Sequence, residues 1–145
     1  DGRMNTFKNI VQLGGIDESQ LEPLPFSGSC ALVIKVSRKI DLKPEKPWAL
    51  DPGNYIYVGR ACRGLQARIV RHKKRTKNIH WHIDRLTTHR LVIIKNVLIF
   101  PDHPKQECAI VRKLISHPGS SAPLARFGSS DCLEDCPAHL IMTKN

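Results

Sequence analysis

No apolar run in this chain approaches the roughly 20 residues that a bilayer-spanning helix needs, and its opening residues lack the pattern of a secretory leader. The chain carries no internal repeat, which excludes a stacked-repeat architecture. Acids are scarce where bases are dense. Between Arg60 and Arg90 ten Lys and Arg side chains face a single carboxylate, Asp84, so this window carries nine of the ten net positive charges and the rest of the chain is close to neutral. The five cysteines are an odd number without secretory signs, and are read as reduced thiols in a cytoplasmic protein.

What is present is enough for one domain. A chain of 145 residues buries roughly 70% of its unfolded surface, so a substantial core forms without staples. Residues 1–27 are weakly patterned and read as a lead-in, turn-rich from Asp17 to Pro25, with Met4 as the native start after Asp1-Gly2-Arg3. The domain proper is expected over 28–145. A localised excess of positive charge points to a polyanionic partner, nucleic acid above all. The candidate phosphate contacts are Arg60, Arg63, Arg71, Lys73, Lys74, Arg75 and Lys77. If about five cations touch phosphates, log affinity falls with log salt at a slope of about −4 to −5. Taken alone, Lys73-Lys74-Arg75 also fits a merely solvated face.

Strand and helix signals follow in order. Gly28 to Ser37 is a nearly continuous apolar run and reads as a buried strand. Arg38 to Pro52 holds Pro44, Pro47 and Pro52, too many for a helix, and reads as a long connection. Asn54 to Gly59 alternates as a strand after the Pro52-Gly53 turn, and pairs antiparallel with the first. Side chains two apart in a strand share a face. Tyr55, Tyr57 and Gly59 therefore look one way, and Ile56 and Val58 look the other, toward the core. Leu91 to Phe100 reads as another interior strand, and Leu140 to Thr143 as a short one.

The helix expected over 64–76 carries an anomaly: Leu65, Arg68, Ile69 and His72 share one stripe, so an arginine and a histidine lie on the face that ought to be buried. Either these two build an oxyanion site with Tyr57, or Arg68 snorkels past Leu65 to solvent. A second helix opens near Asn78. On it His82 shares a face with Arg85, Leu86 and His89, and either it or His80 also fits a hydrogen-bonded structural role. Trp81 reads as core. On the helix expected over 105–117, Glu107 sits on the stripe of Ile110, Val111 and Leu114 near the N-terminus, where a carboxylate also complements the helix dipole. Cys132, Cys136 and His139, with Cys108 as a fourth ligand, have a loose zinc-like spacing; small buried thiols are the alternative.

Taken together, Tyr57-Val-Gly59, Gly64-Leu-x-x-Arg68-x-x-x-His72, His80-Trp-His-Ile-Asp84, Glu107-Cys108 and Phe127-Gly-Ser-Ser-Asp-Cys132 form an ordered series. In this series the chain resembles the GIY-YIG nuclease superfamily over roughly residues 28–142, and within it a small branch found alone or fused to endonuclease-III-like glycosylases. The resemblance implies a small α+β domain with a central three-stranded antiparallel sheet flanked by helices. It also implies metal-dependent hydrolysis of DNA phosphodiesters, in repair or processing. By motif match Arg68 holds the scissile phosphate, Glu107 binds one Mg²⁺ or Mn²⁺, Tyr57 activates water and His72 assists, with Gly59, His82 and Asp131 in support.

Three features depart from that pattern. Cys30 stands where the first motif ends in a tyrosine, the gap from Cys30 to Tyr57 is longer than usual, and the asparagine that follows the glutamate has no counterpart, Asp131 being the substitute. A silent nucleic-acid-binding module on the same fold, or a zinc-stabilised structural domain, are the alternatives. A phenol of pKa near 10 is a poor base at pH 7 unless Arg60, Arg63, Arg68 and a bound metal lower it, and His72 is the competing base. The nuclease reading requires the side chains of Tyr57, Arg68 and Glu107 to converge on one hollow.

Overall fold

The computed structural model describes residues 6–42, 48–61, 63–101, 107–124, 126–127 and 138–143. The longest strands are β2 (Gly28–Val36), β5 (Gly53–Ala61) and β6 (Val92–Phe100), each of nine residues. They are three of the four strands read from the sequence, the fourth being the short Leu140–Thr143. β2 lies between the other two, both antiparallel to it, and is buried along its length except at Lys35.

The sheet is wider than expected. Short strands β1 (Ile16–Asp17) and β7 (Leu140–Thr143) add to its two edges, giving a five-stranded antiparallel sheet in the order β1-β6-β2-β5-β7. The expected three strands are its centre. Two residues of β1 are too few to show a period, so that edge is not legible in the sequence. Within the connection after β2, β3 (Ile40–Asp41) and β4 (Ala49–Leu50) form a separate two-stranded ladder. The lead-in also joins the fold, because α1 (Thr6–Gln12) buries Ile10 in the core and β1 pairs with β6.

Each face of the sheet has its own core. Register places Cys30 opposite Gly59, Leu32 opposite Tyr57 and Ile34 opposite Tyr55. On this face α2 (Leu65–Lys73) and α3 (His82–Thr87) bury Leu65, Ile69, Ile83 and Leu86. On the other, Ala31, Val33, Ile56, Val58 and Leu98 meet α4 (Glu107–Ile115) through Cys108, Ile110, Val111 and Leu114. Ile56 and Val58 face a core, as alternation predicts, but so do the tyrosines. With both faces covered, β5 is apolar on both sides.

Two helix boundaries move for local reasons. α2 is entered through Gly64, whose φ of 70° is in the left-handed region that favours glycine. α3 begins four residues after Asn78, because the Asp84 carboxylate takes the N–H groups of His80 and Trp81 at 2.9 Å and holds that stretch extended ahead of the helix.

Candidate functional site

The Tyr57 ring lies along its own strand over Gly59. A Cβ built at Gly59 would stand 3.1 Å from Tyr57 Cε2 and 3.7 Å from its hydroxyl, so a residue without a side chain is what lets the ring lie there. Cys30 is fully buried directly across the ladder. Arg68, one turn into α2, brings its guanidinium to the same end of β5: Nη1 donates to the Arg60 carbonyl at 3.2 Å and the group stacks 4.3 Å from the centre of the Trp81 ring. His72 is buried one turn further on, its ring 6.0 Å from that of Tyr57, and its Nδ1 has no hydrogen-bond partner among the described residues. Tyr57, Arg68 and His72 are thus brought together, with Arg68 half-buried against Trp81 instead of snorkelling outward.

Burial governs the electrostatics here. Burial, with smaller contributions from Cys30 and Glu107, pushes the Tyr57 phenol above its ordinary value, and the opposing charge of Arg68 does not overcome it. The Cys30 thiol is pushed up to about 12, again chiefly by burial. Burial and the charges of Lys77 and Arg68 lower His72 to about 4. At neutral pH the hollow therefore holds a protonated phenol, a protonated thiol and a neutral imidazole beside one fixed positive charge. A protonated phenol is a donor. Desolvation outweighs the lowering charge of Arg68 at this phenol.

Several candidate phosphate contacts are already engaged. Asp84 has no exposed surface and accepts both arms of Arg71, at 2.7 and 2.9 Å, while Lys77 Nζ lies 3.9 Å away and donates to the Arg71 and His72 carbonyls. Burial opposes ionisation of Asp84, yet Arg71 and the two backbone N–H groups outweigh it and hold the carboxyl at about 2. Arg75 is tied to the carbonyls of His89, Arg90 and Val92, and Lys73 to Glu18. Arg63 and Lys74 are exposed and have no side-chain partner among the described residues. Trp81 is half-buried against the main core, as expected, with the guanidiniums of Arg68 and Arg71 at 4.3 and 4.5 Å from its ring. His82 meets Trp48 and Phe127 at centroid distances of 4.8 and 5.5 Å, in an aromatic cluster.

Glu107 opens α4 on the opposite face. Its oxygens lie 3.3 Å from Arg60 Nε and 3.6 Å from His139 Nδ1. Both partners point to the Val58 side: Arg60 by alternation along β5, and His139 because its carbonyl accepts the Val58 N–H in extension of the β5–β7 ladder. The phenol, guanidinium and carboxylate therefore do not share one hollow. A buried stripe reports which side of a helix is covered but not which face of the sheet covers it. All three groups nonetheless sit at one end of β5, and the charge of Glu107 reaches across to raise both Tyr57 and Cys30. Arg60 Nε and His139 Nδ1 thus stand at the two Glu107 oxygens. Among the described residues no set of three or more His, Cys, Asp or Glu side chains could hold a metal ion.

Of the zinc-like set, Cys108 and His139 meet, Sγ to Nε2, at 3.8 Å. Cys132, Cys136 and Asp131 lie outside the described residues. Sequence reasoning missed Asp84 as the hub of the basic segment. The signal was there, a lone acid amid ten bases three residues after a tryptophan, but its partners are set by the fold.

A mixed α+β domain with an antiparallel sheet is thus the class of protein this is. Residues 29–145 match the family described as domain of unknown function DUF123, and the chain belongs to that family. No curated protein and no solved structure matches it. No helix among the described residues is long and apolar enough to cross a membrane.

Proposed function

We propose that this chain is a DNA-binding domain of the GIY-YIG kind that holds a backbone phosphate between Tyr57 and Arg68, with phosphodiester hydrolysis as the second reading. One observation carries the reading: the phenol lies over Gly59 at the strand end where the Arg68 guanidinium is pinned by the Arg60 carbonyl and the Trp81 ring. Among the described residues only Nη1 of that guanidinium makes a hydrogen bond, which leaves N–H groups for the forked contact that arginine makes with phosphate. The Tyr57 hydroxyl, protonated at neutral pH, donates to a second oxygen. Such donors gain strength as charge accumulates on the phosphoryl oxygens in the transition state. The exposed cations Arg60, Arg63 and Lys74 suit the flanking backbone. The buried free thiol of Cys30 suits a reducing, cytoplasmic setting.

A bound Mg²⁺ or Mn²⁺ supplies positive charge and an activated water in such hydrolysis. The described placement of Glu107, on the other face of β5 with Arg60 and His139 at its oxygens, favours DNA binding without cleavage on the same fold.

Plasmid nicking with Mg²⁺ or Mn²⁺, run beside a salt-dependent binding titration, separates the two. Hydrolysis predicts nicking that Arg68→Ala lowers about a hundred- to a thousand-fold and Glu107→Gln abolishes. The silent reading predicts binding with a salt slope of about −4 to −5 and no nicking. Loss of both activities from folded protein would overturn the reading as a whole.

A further inference from the structure

We infer that the base adjoining the phosphate on Arg68 is unpaired and stacks on the exposed ring of His80, so that the DNA bound here is single-stranded; this rests on the DNA-binding reading. His80, Trp81 and Arg68 form one contiguous row. The His80 ring stands 5.0 Å from the Trp81 ring at 68°, edge to face, and the Arg68 guanidinium lies 4.3 Å from the centre of the same Trp81 ring. The exposed imidazole of His80 makes no hydrogen bond among the described residues, so a structural hydrogen bond does not account for it. Ile79 beside it is 46% exposed, an apolar side chain in the middle of the basic segment.

The backbone beneath these two side chains is fixed. The Asn78 carbonyl accepts Arg71 Nη2 at 3.1 Å, and the N–H groups of His80 and Trp81 donate to the Asp84 carboxylate at 2.9 Å. None of these contacts uses the side chain of residue 79 or 80, which leaves both free to serve a ligand on a platform that is already ordered, and a preordered platform loses little freedom on binding. Proteins that hold single strands combine cations along the backbone with rings on which successive bases stack. Here the arginine for the phosphate and the ring for the base are one tryptophan apart. A continuous duplex offers its phosphates to Arg68, Arg63 and Lys74, but its base faces are covered by neighbouring bases and give His80 nothing to stack on.

The full chain is titrated by fluorescence anisotropy against an oligothymidylate of about 12 nucleotides and against a duplex of the same length, at several salt concentrations. The unmodified chain should bind the single strand more tightly. His80→Ala should weaken single-strand binding about 5- to 100-fold and leave duplex affinity and both salt slopes as they were, since no phosphate contact is removed. His80→Phe, which keeps a ring but no imidazole nitrogen, should retain the preference. Equal affinity for the two forms in the unmodified chain overturns the inference while the DNA-binding reading stands. So does an equal loss for both forms in His80→Ala, or a His80→Phe that behaves like His80→Ala, which would make the imidazole a polar contact. Binding of neither form overturns inference and reading together.

Discussion

On one face of the sheet α2 brings an arginine and a neutral imidazole to the phenol at the end of β5; on the other, α4 and the turn into β7 bring a carboxylate, a thiol and a second imidazole to the same end. The two imidazoles show what separates these regions. His72 is surrounded by Lys77, Arg68 and Arg71, whose charges join burial in driving it neutral, and Asp84 opposes them. His139 faces Glu107 instead. The first face gathers donors and positive charge, whereas the second gathers a carboxylate, a thiol and an imidazole. The backbone of β5 both divides the two regions and joins them, since Arg68 leans on the Arg60 carbonyl while the Arg60 side chain reaches Glu107.

The largest expected effect is on what holds the first face together. Asp84→Ala leaves Arg71 and Lys77 without their shared carboxylate in a site that has no exposed surface at residue 84. Breaking one side of such a buried pair costs about 3–5 kcal/mol, to be read from urea unfolding. Because Arg71 and Trp81 flank Arg68, DNA affinity should fall with it; unchanged affinity would mean that Arg68 is held without them.

A graded effect of similar size should appear with pH. His72 has a folded pKa of about 4 against about 6.5 unfolded. Between those values the unfolded chain binds more protons, so stability is full above about pH 6.5, declines as pH falls toward 4, and changes no further below that on this group's account. The whole span is on the order of 3 kcal/mol. His72→Gln should flatten this part of the profile in denaturant titrations at pH 4 to 7. A retained slope would place the titrating group elsewhere, with His139 on the other face the next to substitute.

How much of this was legible follows from the reach of each signal. Strand alternation and helical stripes are local, so the three long strands, the faces of Tyr57 and Val58, and the Leu65-Arg68-Ile69-His72 stripe could be read directly. The face that α4 covers could not, because a stripe carries no information about the crossover after β6. Charge counting located the basic segment but not its partners: Arg71 and Lys77 look like Arg63 and Lys74 in sequence, and only the fold shows that the first two are committed to Asp84. Desolvation was the other blind spot. Burial outweighs the charge of Arg68 at Tyr57, and alternation along a strand does not show that.

The smallest effects sharpen that division within the basic segment itself. Lys77 is nearly buried, its side chain 6% exposed, and donates to the carbonyls of Arg71 and His72. Lys77→Ala should therefore cost about 1–3 kcal/mol of stability, because buried carbonyls lose a donor and Asp84 loses a nearby charge, and should leave the salt slope of DNA binding unchanged in whatever fraction remains folded. Lys74→Ala should do the reverse: a stability change within about 0.5 kcal/mol, with the magnitude of the slope reduced by about 1 because one phosphate contact is gone. If the two variants exchange these behaviours, the exposed cations are not what meets the phosphate backbone, and the anion-binding face lies on the other side of α2.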